Sequence, residues 1–405
     1  MRGIPVRHFA YLTDDERERL FAVPPGDVGP ATPRGMLALA LGATLYSPGT
    51  RPSLDDDAAR AAAAGATSTV WCLEDAIPHE AVGAAEANVV AALQRLHRRV
   101  TEGDPAPLPL VFVRVRTPEQ IRSIAALAGP ALARLAGFSL PKATAATLGP
   151  MLAAIAEVRG AAGRPLYGMP ILETPDLAWR ETRAEALTAL AAVVEAHREN
   201  VLCLRVGGTD LSGLFGLRRD RDTTIWDVAV VRDCLADVVN RFTRGGEHVV
   251  TGAVWEHIPG PRLFKPQLRQ SPFTDQHEGR LRQQMIAGDL DGLVREVALD
   301  KANGVLGKTV IHPAHVSVVN ALLTVSRTEY DDALEILTAR GRGGIAVSGQ
   351  GRMNEVGPHA LWAELISRRA AVYGVVADEA ALVDLLAAGR RRLAEVFAGG
   401  EVRRA

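Results

Sequence analysis

Tyr167-Gly-Met-Pro-Ile-Leu-Glu-Thr174 and Val201-Leu-Cys-Leu-Arg-Val-Gly-Gly-Thr-Asp210 share one order: a short run rich in Val, Ile or Leu, then an acid, then a segment of helical composition. In a parallel α/β protein that order puts Glu173 and Asp210 at the carboxyl ends of strands, where ligand sites lie. Two hard oxygen ligands converging there suit Mg²⁺ or Mn²⁺, which could hold a substrate carbonyl or carboxylate. The alternative is a pair of solvated loop acids.

Six further runs of the same kind extend the pattern. Strands are expected at 43–47, 69–73, 110–115, 137–142, 167–172, 201–207, 249–255 and 305–311, each followed by a helical or loop interval. Helices are expected at 55–64, 81–100 and 118–127. Eight such alternations fit a closed (β/α)₈ barrel, the TIM-barrel class of α/β fold, better than an open doubly wound sheet. Residues 1–40 lack a clear period and contain Pro24-Pro-Gly26 and Gly29-Pro30, so they read as an N-terminal extension. The barrel is assigned to 41–325. Residues 326–405 are assigned to a C-terminal helical extension and lid, with helices at 327–340, 358–370 and 377–397 and a Gly-rich link at 341–351. The interval after the sixth strand contains Arg218-Arg-Asp-Arg-Asp-Thr-Thr-Ile-Trp226 and is expected to form an excursion beside the site.

Composition narrows the partners. The 405 residues are 47% apolar and 23% charged with a net charge of -1, which argues against nucleic acid or an anionic membrane as ligand. Cys72, Cys203 and Cys234 lie in apolar or helical runs without metal-ligand spacing and suit a reducing cytosol. No stretch approaches the roughly eighteen uninterrupted apolar residues of a membrane span. A soluble cytoplasmic protein is expected. No G-x-x-x-x-G-K-[ST] loop occurs, which argues against ATP use.

Seven pieces then fall in a familiar sequence: Leu45-Tyr-Ser-Pro-Gly-Thr-Arg-Pro52, Leu73-Glu-Asp-Ala-Ile-Pro78, Val113-Arg-Val-Arg116, Leu140-Pro-Lys142, Ile171-Leu-Glu-Thr174, Gly207-Gly-Thr-Asp-Leu211 and Gly307-Lys-Thr-Val-Ile-His-Pro313. In that order, each at a strand end, they make the chain resemble the citrate lyase beta-subunit/HpcH-HpaI aldolase superfamily over roughly 43–370. The long N-terminus and extended tail are similar to a divergent bacterial branch of carbon–carbon bond lyases associated with tellurite-resistance or stress gene clusters.

The resemblance implies a Mg²⁺ site at Glu173 and Asp210, with fixed positive charge where an enolate develops as a carbon–carbon bond breaks. It implies that Arg114 meets the substrate oxygen beside the metal; the alternative is an ion pair with Glu74 or Asp75. Those two acids match the family's pair after strand two, one orienting Arg114 or a metal-bound water. Arg116 stands where the family often has asparagine, which points to a more anionic substrate or a salt bridge. Lys142 would neutralise an anionic substrate or pair with Glu173. Tyr46, Pro48, Gly49 and Arg51 match a loop that lines the pocket and approaches a coenzyme A-type thioester. Lys308 and His312 flank strand eight, with His312 at its carboxyl end as a candidate hydrogen-bonding group; His257, beyond strand seven, has a similar status, and Glu256 could pair with either histidine. In the tail, Glu355 occupies the position of an aspartate that enters a neighbouring subunit's site, as general acid or base.

The expected activity is therefore a Mg²⁺-dependent lyase or aldolase acting on a β-hydroxy acid or its thioester, in a homo-oligomer, a trimer or a multiple of one. Alternatives are a malyl- or citramalyl-type acyl-coenzyme A lyase or thioesterase, and a non-catalytic small-molecule-binding barrel. The substrate class in each case is a small hydroxy or keto acid.

Overall fold

The computed structural model describes residues 6–29, 32–104, 106–258, 290–340, 345–347 and 353–398. Eight parallel strands close a barrel: β1 Ala43–Pro48, β2 Ser68–Cys72, β3 Leu110–Arg114, β4 Leu135–Leu140, β5 Tyr167–Leu172, β6 Leu204–Val206, β7 Val250–Gly252 and β8 Val305–Val310. They are hydrogen-bonded in chain order, and β8 returns to β1 with Ala43 opposite Lys308. Strands buried on both faces need continuous apolar runs, which is why Leu110–Arg114 reads Leu-Val-Phe-Val-Arg and becomes polar only at the mouth.

Strand β4 ends earlier than its composition suggests because Lys142 turns into the left-handed region at φ 49°. A non-glycine residue there costs about 1–3 kcal/mol and persists only where its surroundings fix it. Strands β6 and β7 keep only three ladder residues each, although the bridge between Gly168 and Val201 continues the extended path before β6. Helices pack outside. The one at Pro118–Ala128 starts where Thr117 accepts from the Gln120 amide and proline takes the first helical position.

The two ends of the chain are tied together under the barrel. Phe21–Val23 pairs antiparallel with Val375–Val376, and Arg19 and Arg391 form ion pairs with Asp384 and Glu16. Helix Val356–Tyr373 lies against the amino-terminal ends of the barrel strands: the Tyr373 hydroxyl donates to the carbonyl of Leu39, 2.6 Å away, just before β1. Farther along, a Cβ on Gly246, shortly before β7, would lie 3.1 Å from Leu361. Val325, Ala333, Ile336, Ala363, Ile366, Ala370 and Val375 form a small cluster of their own between the tail helices. No helix among the described residues is long and apolar enough to cross a membrane. Within the expected Gly-rich link, Ile345–Val347 pairs with Met353–Glu355. The rest of that link, residues 341–344 and 348–351, lies outside the described residues, as do the expectations placed on it.

His8 joins the extension to the tail. Its Nε2 lies 3.1 Å from the Ala40 carbonyl and its ring 4.3 Å from that of Tyr373. Burial pushes its pKa down to about 3, against an ordinary value of 6.5. The unfolded chain therefore takes up a proton as pH falls below about 6.5 and the folded one does not, so stability drops on that side. The contribution of His8 is about 1.4 kcal/mol per pH unit. Urea unfolding between pH 6.5 and 5 is expected to show this slope in the parent and to lose that share of it in His8→Phe. Equal slopes would mean that the ring protonates within the fold.

Candidate active site at the carboxyl ends of the barrel strands

Glu173 follows β5, and Asp210 lies in helix Gly208–Gly213 after β6. Glu173 is buried, at 4% exposure, and Asp210 is half-buried. The two are close enough that the charge of Asp210 acts on Glu173. Burial first, and then Asp210 and Glu74 against the opposing pull of Arg114, raise the Glu173 carboxyl to about 7. Two devices hold it in place. The Lys142 amide donates to Glu173 Oε1 at 2.9 Å, which is what the left-handed backbone at Lys142 aims. Gly207 gives the other side room, since a Cβ there would sit 2.0 Å from Glu173 Oε2. Only glycine fits.

Arg114 ends β3, so β2, β3 and β5 meet at its guanidinium. It pairs with Glu74, lies 3.0 Å from Asp75 Oδ2 and stands 3.7 Å from Glu173 Oε1. Burial would weaken the guanidinium, but Cys72, Glu173, Tyr46 and Glu74 together hold its pKa above the ordinary value. Its Nε is buried without a hydrogen-bond partner. Lys142 Nζ completes the cluster, 2.6 Å from Glu74 Oε1 and 3.2 Å from Asp75 Oδ1. The lysine thus pairs with the acids after β2, while its backbone, not its ammonium, serves Glu173.

Four carboxylates therefore face two cations at this mouth. Asp210 makes no ion pair among the described residues. Such a set fits a divalent cation: a buried acid whose neighbour opposes its ionisation, a second acid without a cation, and a cradle kept open by glycine. A separate group, Glu195, Glu247 and His248, also brings possible ligand atoms within 4.8 Å of one another. It lies at the amino-terminal end, and Arg198 pairs with both carboxylates at 2.9 and 3.2 Å. Nothing in its charge calls for an ion.

The remaining candidates divide. The Tyr46 hydroxyl lies 3.1 Å from Ser139 Oγ, with the Arg205 guanidinium 5.5 Å from its ring centre. Pro48 and Gly49 form the turn after β1; Gly49 N donates to the Cys72 carbonyl, and Asn88 donates to the carbonyls of Gly49 and Arg51. Arg51 is held by Asp57 at 2.5 Å. Arg116 spends its donors on the Leu73 and Glu74 carbonyls and meets His79 at 2.7 Å, so it clamps the loop that presents Glu74. His312 lies just beyond β8, half-buried, with its Nδ1 accepting from the Ala314 amide. Burial lowers its pKa. Lys308 turns outward to Glu296 and Asp300, at 2.6 and 2.7 Å, and is 1% exposed. Glu256 bonds Thr209 and faces Arg219, which pairs in turn with Glu296. That chain is where the excursion after β6 is anchored.

Glu355 is not brought to this mouth within one chain. It opens the helix that crosses the amino-terminal face, and its amide is bonded to His359 Nδ1 at 3.0 Å. Arg205, which the sequence reading passed over, lies on β6 two residues before Gly207. It is 1% exposed and bonds Thr44 and Thr309 across the barrel interior. A charged residue inside Leu204–Val206 was the available signal.

Residues 35–375 match the family model described as a C-C bond lyase of the TIM-barrel fold. The chain belongs to that family. Among solved structures, a citrate lyase from Burkholderia xenovorans is 19% identical, with a TM-score of 0.58, covering 84% of this chain and 96% of that one. The protein CitE of Mycobacterium tuberculosis, in complex with magnesium, acetoacetate and coenzyme A, is 20% identical at a TM-score of 0.48 and covers 81% and 97%. At such identities the likeness extends to the fold alone. No curated protein matches the chain. Membership of this family supports carbon–carbon bond cleavage as the class of reaction.

Proposed function

We propose that this protein is a divalent-cation-dependent lyase that cleaves a β-hydroxy acid, free or as a thioester, into a carbonyl compound and a shorter acid. The observation that carries the reading is the pair Glu173 and Asp210 at the strand ends, where burial and the charge of Asp210 raise the Glu173 carboxyl against the pull of Arg114, 3.7 Å away. These two carboxylates would hold Mg²⁺ or Mn²⁺, which when bound supplies positive charge for the oxygen that gains electron density as the bond breaks.

The chain's own residues prepare that step. Arg114 presents a guanidinium fork, with its Nε still unbonded, to the substrate carboxylate or carbonyl. Glu74, Asp75 and Lys142 fix its orientation. Arg116 clamps the loop carrying the two acids, and Arg51 is fastened to Asp57, so neither needs substrate to explain its position. Arg205, without a carboxylate partner among the described residues, adds positive potential one layer below Glu173. Cleavage transfers the β-hydroxyl proton to a base as the C–C electron pair moves to the α-carbon, which is then protonated. The test is incubation of the purified protein with Mg²⁺ and a panel of hydroxy and keto acids, free and as coenzyme A thioesters, with products detected by mass. Cleavage of a β-hydroxy acid that stops on chelation is the expected result. No turnover across the panel, with or without metal, would favour a binding barrel.

Glu355 takes the role of that base from a second copy of the chain, because its own fold carries it to the opposite face. A mixture of Asp210→Asn and Glu355→Gln subunits is expected to recover part of the activity that each lacks alone. Demonstrated subunit exchange without recovery would remove Glu355 from the reaction.

A further inference from the structure

A second cavity lies on the amino-terminal face of the barrel, opposite Glu173. It occupies about 50 Å³ between the N-terminal extension and the beginnings of β3 and β4. A single buried water needs roughly 10–15 Å³ by the same measure, so a small molecule fits. About half of the wall is hydrocarbon, including Val6 and Val28 from the extension, Leu96 from helix Val82–Thr101 and Leu110 from β3. Two guanidiniums enter that wall: Arg134, just before β4, and Arg164, just before β5.

Neither arginine has a carboxylate partner among the described residues. The Nε of each is buried without a hydrogen-bond partner, and Arg164 makes one bond, from Nη1 to the Ala133 carbonyl at 3.3 Å. Both side chains are half-buried overall, but buried donors are almost always satisfied, and these two Nε groups are not. Two exceptions lining one cavity share a missing partner, and its chemistry follows from theirs: an anionic acceptor. Burial lowers the pKa of both, and the charge of Arg134 further lowers that of Arg164.

We propose that this cavity is a binding site for a small aliphatic carboxylate, separate from the site at the barrel mouth. Carboxylate and phosphate both match the guanidinium fork. The valine and leucine wall decides between them, because it can cover the hydrocarbon body of a short-chain acid. An inorganic phosphate would lose hydration against the same wall without compensation. An occupant would touch Val6 and Val28 of the extension on one side and the barrel on the other.

The test uses the full chain carrying Glu173→Gln and Asp210→Asn, so that the mouth is altered identically in every sample. Butyrate and inorganic phosphate are titrated separately by calorimetry and by thermal unfolding. Butyrate is expected to bind once per chain at the cavity and to raise the melting temperature. Adding Arg164→Gln should weaken that binding about tenfold to a hundredfold, the usual consequence of losing a charge-assisted bond. Without ligand, Arg164→Gln should fold at least as stably as its parent, since it removes one of two unpaired like charges. Arg134→Gln provides an independent second variant with the same expectation. The assignment is overturned by any of three results: no response to butyrate, an unchanged response in both arginine variants, or a stronger response to phosphate than to butyrate.

Discussion

Asp210→Asn and Glu173→Gln should each lower lyase turnover by about a thousandfold or more, the scale expected when charge stabilisation at a developing oxyanion is lost. The folded state should survive both changes. Glu173 is a buried acid raised to about 7 by desolvation and by Asp210, so at neutral pH its charged form opposes folding in the absence of a cation. Glutamine removes that charge, and its Oε1 can still accept from the Lys142 amide. Metal-free Glu173→Gln is therefore expected to melt no lower than the parent while being inactive. Thermal unfolding and steady-state kinetics on the same preparations check both halves. Full turnover in either variant would remove the pair from the chemistry.

Arg114→Lys should carry the next largest effect, about a hundredfold in turnover. The guanidinium reaches Glu74, Asp75 and the neighbourhood of Glu173 from one side chain. Lysine can satisfy one of the two pairing acids as a point charge but cannot offer a fork to substrate at the same time. Lys142 already fills the ammonium position beside Glu74 and Asp75, so a second ammonium would add repulsion rather than geometry. The loss should fall mainly on kcat if Arg114 acts as the bond breaks, and mainly on KM if it only binds substrate. Unchanged kinetics would return Arg114 to a purely structural ion pair.

What was readable in the sequence follows from what is local. β5, Tyr167–Leu172, has the bounds that its apolar run suggests, and the acid after it falls at the barrel mouth because strand ends are set by composition. The alternation of apolar runs with helices pointed to a parallel sheet covered on both faces, and its repetition eight times favoured the closed barrel that the strands form. Resemblance drew attention to Arg114, Glu74 and Asp75, and the ion pair weighed among them is present, while Lys142 as a further partner of the two acids was not expected. The Lys142 amide at Glu173, the glycine-only contact of Gly207 and the course of Arg205 beneath the mouth each join residues distant in sequence through side-chain direction. Composition has no access to that. The same limit applies to Lys308, whose place beside the candidate His312 gave no hint that it faces Glu296 and Asp300 in the helical layer. Glu355 is a different case: it was read as entering a neighbouring subunit's site, and within its own chain it opens a helix on the opposite face.

The central claim is that Glu173 and Asp210 together hold one divalent cation. Titration of Mn²⁺ into the metal-free protein, followed by the paramagnetic resonance of the free ion, tests it without reference to any substrate. The account predicts one bound Mn²⁺ per chain, displaced by Mg²⁺, and loss of that binding in both Asp210→Asn and Glu173→Gln. One Mn²⁺ per chain bound with parental affinity by both variants would contradict it.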